Sequence, residues 1–244
     1  MSAATAATEL PTAPALPGLR VIRLARLGYV EYGPAWRWQT AAAAALRAGE
    51  AGEALALLEH RPVYTLGRRA NRDHLLVEAA ALRRRGAAVV ESDRGGDVTF
   101  HGPGQLVLYP ILDLRGRGLG PAAYVRALEQ TAIETLHRFG LHGERIAGRP
   151  GVWAGGAKVA AVGVRVAGGV SSHGIALNVE TDLSWFEAIV PCGIVDARAT
   201  SIERLLGRSP GIERCGEALL SAFCDVFGSV LTPAAAAAGG GDGR

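Results

Sequence analysis

Cysteine is scarce, and the pattern of that scarcity is informative. There are 3 cysteines in 244 residues, irregularly spaced and without a CxxC pair, which argues against a disulfide framework and for a reducing compartment. A secretory-type hydrophobic segment is also missing, and residues 1–18 carry neither Arg nor Lys, so they match neither a signal peptide nor a transit peptide. Cytoplasm is therefore the expected location. No Gly-Lys-Ser/Thr follows a glycine-rich stretch, which excludes a Walker phosphate loop, and no internal repeat is evident. The net charge is only +3, and no aromatic residues interleave with the arginines as a nucleic-acid module requires.

Hydrophobic residues make up 49% of the chain, enough for one sizeable core. We read 1–18 as a disordered leader, 19–230 as a single domain and 231–244 as a low-complexity tail. Apolar and basic residues alternate from Leu19 to Leu27, predicting a strand, and a helix is expected from Pro34 to Ala48. Further strands are expected at Ala54 to Glu59, Val63 to Leu66, Ala87 to Glu91 and Leu106 to Leu114. Helical spacing marks Val77 to Arg85, and Pro121 to Phe139 has a proline start and a glycine stop. Lys158 to Val166 and Val170 to Val179 form a hairpin through Gly168-Gly169. Short helices are expected at Leu183 to Ala188 and Ser201 to Leu206, and a last one carries the stripe Ile212, Cys215, Leu219, Phe223 and Val226. Strands interspersed with a few helices, without strict alternation, predict an α+β fold with a mixed sheet and flanking helices. Arginines cluster at Arg68, Arg69 and Arg72 and again at Arg83 to Arg85, the second reading as a solvated helix end, and the mild basic excess of the whole chain favours an acidic protein partner.

Three segments carry candidate chemistry. Arg94 to Gln105 reads RGGDVTFHGPGQ, too rich in glycine for an ordinary strand and suited to bring backbone N–H groups against a ligand oxygen; a purely structural loop is the alternative. Cys192, between Pro191 and Gly193, is the cysteine expected on a tight turn with its thiol presented, whereas Cys215 and Cys224 lie on the helix with the buried stripe and read as small hydrophobes. Lys158 opens an apolar strand amid Gly155, Gly156, Ala157 and Ala160. A lysine there is ordinarily exposed, but its small neighbours leave room beside the amine. If it faces Cys192 at ~4 Å, the attraction is about 4 kcal/mol at an effective dielectric near 20, roughly three pKa units before desolvation. That would make the thiol substantially ionised at neutral pH. His101 and His173, both beside glycine, are candidate hydrogen-bond donors or bases. A zinc site with Cys192 lacks short ligand spacing, and a Cys-His-Asn hydrolase using Asn178 lacks the papain-type context.

Four of these stretches together, RGGDVTFHGPGQLVLYP, AKVAAVGVRV, SHGIALNV and PCGI, resemble the lipoyl(octanoyl) transferase family over about Leu19 to Gly228. The resemblance implies a fold similar to the catalytic domains of biotin and lipoate protein ligases, with no cofactor and no metal. It implies transfer of an octanoyl group from octanoyl-acyl carrier protein to a lysine of lipoyl domains, in 2-oxoacid dehydrogenase complexes and the glycine cleavage protein. Cys192 matches the acyl-accepting cysteine and Lys158 the lysine that lowers its pKa. Arg94, Gly95, Gly96, Asp97, Val98, Thr99, Phe100 and His101 match the first substrate-binding stretch. Ala161, Val162 and Gly163 match the second, and Gly174, Ile175 and Ala176 the third. Neither nucleic acid nor membrane is implied, and a monomer is expected.

Overall fold

The computed structural model describes residues 20–190 and 198–233. The chain opens with strand β1 (Arg20–Val30) and helix α1 (Tyr32–Ala48), followed by β2 (Ala54–His60) and β3 (Val63–Leu66). Helix α2 (Ala79–Arg84) leads to the strands β4 (Ala88–Glu91), β5 (Val98–His101) and β6 (Gln105–Ile111). Helix α3 (Pro121–His137) precedes four strands, β7 (Glu144–Ile146), β8 (Arg149–Ala154), β9 (Ala157–Ala167) and β10 (Val170–Asn178). The last elements are α4 (Ile202–Leu206), α5 (Ile212–Phe227) and β11 (Ser229–Pro233). Single 3-10 turns sit at Arg72–His74 and Leu183–Ala188.

These strands form two sheets. The larger has the order β11-β1-β2-β6-β10-β9-β8-β7, and the smaller is β4-β3-β5. In the larger sheet β1 runs parallel to both β11 and β2, and the remaining pairs are antiparallel, so the sheet is mixed as expected. Its central strands are buried on both faces, and the period-2 alternation assigns the faces. Leu55, Leu57, Leu106, Leu108, Ile175 and Leu177 meet α3 and α5 in the main core. Ala56, Leu58, Val107, Tyr109 and Ala176 point the other way and pack beneath α1 through Ala35 and Trp38. Helix α1 buries Tyr32, Ala35, Gln39 and Ala43, the spacing of a single helical face. The small sheet has its own core, in which Tyr64, Leu66, Val98 and Phe100 meet Leu82, Ala188 and Ile189.

Several expectations are refined. Gly168 and Gly169 both have positive φ, 61° and 85°, the backbone that a two-residue hairpin turn demands, and they join β9 to β10. Val98–His101, expected to be loop, is strand β5, paired antiparallel with β3. Its β-branched and aromatic run Val-Thr-Phe was masked by the flanking glycines. The strands β7 and β8 were not anticipated; β8 has glycine at Gly151 and proline at Pro150, which blur its pattern. The last strand runs to Pro233 alongside β1, past the boundary drawn at 230. Arg85 is more than a solvated helix end, since its guanidinium lies 4.6 Å from the Trp185 ring centroid and ties α2 to the 3-10 turn at Leu183–Ala188. Among the described residues, no helix is long and apolar enough to cross a membrane.

Candidate active site

Three separated stretches of chain meet between the large sheet and the edge of the small one. Here the face of β6, β9 and β10 that carries Val107, Tyr109, Ala161, Gly163, Gly174 and Ala176 borders a cavity of about 310 Å3, at the low end of ligand-site volumes. The opposite wall is the glycine segment Arg94 to Asp97 with Val98, Thr99 and His101 of β5, and Lys158, Val162, Ile175, His173 and Arg69 are among the other lining residues. Thirteen of the fourteen substrate-binding residues expected from sequence therefore border one space. Phe100 does not: its ring turns into the small core and stacks on Trp185 at 5.2 Å. Strand alternation sends Thr99 and His101 from β5 on the face opposite Phe100, whereas Val98, on the Phe100 face, borders both the small core and the cavity.

Arg94 organises the glycine segment. It is 6% exposed, and its guanidinium donates to the Thr65 hydroxyl at 2.9 Å and to the carbonyls of Thr65, Gly95 and Asp97 at 2.5, 3.0 and 2.7 Å. Buried carbonyls need donors, and one planar fork supplies several in fixed directions. Asp97 adds a second tie, accepting from the backbone of Asn71 at 3.1 Å and from Nδ1–H of His74. Close approach is the reason for glycine at two lining positions. A Cβ on Gly95 would lie 2.9 Å from the Val164 carbonyl oxygen, and one on Gly174 would lie 2.1 Å from that of Leu108.

Lys158 is 7% exposed, so it is not the solvated lysine that a strand start ordinarily carries. Its Nζ stands 5.1 Å from the centroid of the Trp153 ring, and the side chain borders both the main cavity and a smaller one beside Asn178 and Ala199. Its backbone N–H donates to the Arg198 carbonyl at 2.8 Å and its carbonyl accepts from Thr200 at 2.9 Å. Cys192 lies outside the described residues, whereas the two flanks of its segment lie within them. On one side Val190 N–H donates to the His74 carbonyl at 2.8 Å, and on the other Arg198 to Thr200 pair with Lys158. Burial pushes the Cys215 thiol up to about 11 and raises that of Cys224, so both are poor nucleophiles at neutral pH. The amide of Asn178 is engaged by Gln105 and by the Thr200 carbonyl, which leaves it no hydrolase-type role beside a histidine.

Sequence reasoning missed His60, Tyr109, Tyr32 and Asp93. His60 is buried, its Nδ1–H donating to the Val30 carbonyl at 3.1 Å and its Nε2 accepting the Tyr109 hydroxyl at 2.8 Å. A lone histidine closing the apolar strand Ala54–His60 was the available signal. His173 is 2% exposed, has φ 57°, and donates from Nε2 to Asp93 at 2.7 Å, the same carboxylate that pairs with Arg165. Burial pushes His60 down to about 4, so in the folded state it is neutral where the unfolded chain would be protonated. The unfolded state then binds more protons below pH 6.5, and stability is lost as the pH is lowered. From pH 7 to pH 4.5 His60 alone is expected to remove about 2.5 kcal/mol of unfolding free energy. Urea unfolding at both pH values checks this, with a correspondingly smaller drop in His60→Gln.

The α+β fold with its mixed sheet is shared with lipoate and biotin protein ligases. The crystal structure of lipoate-protein ligase A bound with ATP superposes with a TM-score of 0.68 at 14% identity, covering 88% of each chain. A biotin protein ligase from Aquifex aeolicus in complex with biotin and ATP superposes at 0.50 with 15% identity, covering 84% of this chain and 70% of that one. Residues 31–224 match the family model of the lipoyl protein ligase A/B catalytic domain. An octanoyltransferase of Chloroflexus aurantiacus is 49% identical over 203 residues, 82% of this chain and 91% of that protein. The chain belongs to the lipoyl protein ligase A/B catalytic-domain family and, within it, to the octanoyltransferases, which makes it an acyltransferase.

Proposed function

We propose that the protein transfers an octanoyl group from octanoyl-acyl carrier protein to a lysine of a lipoyl domain through a thioester on Cys192. The observation that carries this reading is the single cavity bordered by Lys158 and by all three expected binding stretches. Its side walls of valine, alanine and isoleucine suit an alkyl chain, each buried CH₂ of which contributes about 0.8 kcal/mol. Lys158 sits beside the returning flank of the Cys192 segment, where a cation favours thiolate over thiol. Exchange between two thioesters is nearly even in energy and needs no ATP. Attack by the lysine amine then forms an amide, the more stable bond, which drives the sequence forward in ping-pong order. The exposed Arg68, Arg69 and Arg72 give an acidic carrier a complementary approach, with Arg69 at the cavity itself. Acyl carrier protein and the lipoyl domains of 2-oxoacid dehydrogenase complexes and the glycine cleavage protein are the partners in this reading, with the enzyme acting as a cytoplasmic monomer.

Incubation with octanoyl-acyl carrier protein is expected to raise the intact mass by one octanoyl group, and Cys192→Ala to abolish both the adduct and lipoyl-domain octanoylation. Octanoylation that survives Cys192→Ala, or that requires ATP and free octanoate, would replace this reading with that of a ligase.

A further inference from the structure

The hydrogen bonds around His101 determine which of its ring nitrogens carries the proton. Backbone carbonyls only accept, and two of them fix the chain of donors. The Thr200 carbonyl accepts from Asn178 Nδ2 at 2.9 Å, so Asn178 Oδ1 is turned toward Gln105. Gln105 Nε2 gives its two protons to that oxygen at 2.9 Å and to the Phe100 carbonyl at 3.2 Å. Gln105 Oε1 is thus left to accept from His101 Nδ1 at 2.7 Å, so Nδ1 carries the proton. Burial, with His60, Arg94 and His173 nearby, holds the imidazole well below its usual pKa and therefore neutral. Nε2 consequently bears a lone pair, on a ring that borders the cavity.

The neighbouring polar group has the same character. His60 gives its Nδ1 proton to the Val30 carbonyl, so its Nε2 must accept the Tyr109 proton, and Tyr109 can offer the cavity only its oxygen lone pairs. Side chains that only accept do not stabilise a thioester oxyanion, and an alkyl chain makes no use of them. Among the reactants of an acyl transfer to lysine, the amine nucleophile brings N–H groups that need acceptors and must give up a proton as the amide forms.

We propose that His101 is a catalytic residue of the second half-reaction and takes a proton from the incoming lysine amine at Nε2. Gln105 and Asn178 are positioning residues that hold its tautomer. As the N–C bond forms and the C–S bond breaks, the amine proton passes to Nε2 and then to the departing sulfur, which restores neutral imidazole and a thiol. This assignment rests on the thioester reading above.

Its test separates the two half-reactions and adds a measurement independent of turnover. Nitrogen-15 spectra of the labelled wild-type protein are expected to show His101 protonated at Nδ1 and bare at Nε2 from pH 6 to 8. In His101→Gln, discharge of the acyl-enzyme onto a recombinant lipoyl domain should slow about 100-fold, the scale of one general base, and by a clearly larger factor than octanoyl loading. Gln105→Leu should slow discharge selectively as well, and Gln105→Glu, which still accepts from Nδ1, should restore it in large part. A proton on Nε2, an unchanged discharge rate, or equal slowing of both steps would overturn the proposal. Failure of the wild type to load any acyl group would instead sink the thioester reading, leaving the tautomer measurement intact.

Discussion

Lys158→Ala is expected to slow octanoyl transfer about 100- to 1,000-fold, the range for loss of one proton-handling group, with thermal stability largely retained. An ordinary thiol, of pKa about 8.5, is only a few per cent ionised at pH 7, so the missing cation should cost roughly one to two orders of magnitude in thiolate alone. The rest reflects proton transfer. The pairing with Arg198 and Thr200 uses only the backbone of the residue, so it persists in the alanine variant. Alkylation of Cys192 by iodoacetamide across pH 5 to 10 reads the first effect directly. The reactivity midpoint should move up in Lys158→Ala; an unchanged profile would exclude an electrostatic role. Lys158→Arg makes the finer distinction, since a guanidinium keeps the charge but does not give up its proton. It should load octanoyl better than the alanine variant and remain impaired in overall transfer.

Arg94→Met should be the most destabilising single change in the cavity wall, by about 3 kcal/mol or more. The methionine fills most of the volume but leaves the carbonyls of Thr65, Gly95 and Asp97 without the donor that reaches all three. With an entropy of unfolding typical of a chain this long, the midpoint of thermal unfolding should drop by roughly 10 °C. Transfer should also fall about 100-fold in the protein that remains folded, because the glycine segment loses its shape. Calorimetry and single-turnover assays below the new midpoint separate the two. Arg94→Lys is not expected to rescue either, since a point-like ammonium does not span the same set of acceptors. A shift of less than about 1 kcal/mol would mean that the loop holds itself.

Much of this was legible from local pattern. The helix at Pro121–His137 announced itself by proline at its start and apolar spacing along one face, and the hairpin by its two glycines. Most cavity residues clustered in three unusual stretches, so their chemistry was readable although their meeting was not. Composition also held a clue that went unread: Lys158 is the single lysine beside 25 arginines. An amine that can release a proton has no substitute in arginine, which makes a lone lysine in an apolar strand a position of interest. The direction of Phe100 was not legible, because a glycine-rich stretch hid the strand whose alternation turns that ring into the small core.

The sequence by itself determined most of the elements, the mixed sheet and the residue types that carry the chemistry, because those follow from local backbone preference and apolar periodicity. The tertiary structure alone decided that Lys158 is buried and that Arg94 holds a loop through carbonyls contributed by β3 and the glycine segment. It also decided that His101 faces the cavity as a proton acceptor. Each of these depends on partners distant along the chain, as in the run from His101 through Gln105 and Asn178 to the Thr200 carbonyl. A hydrogen bond assigns a proton only once both partners are in place, and folding alone brings them together.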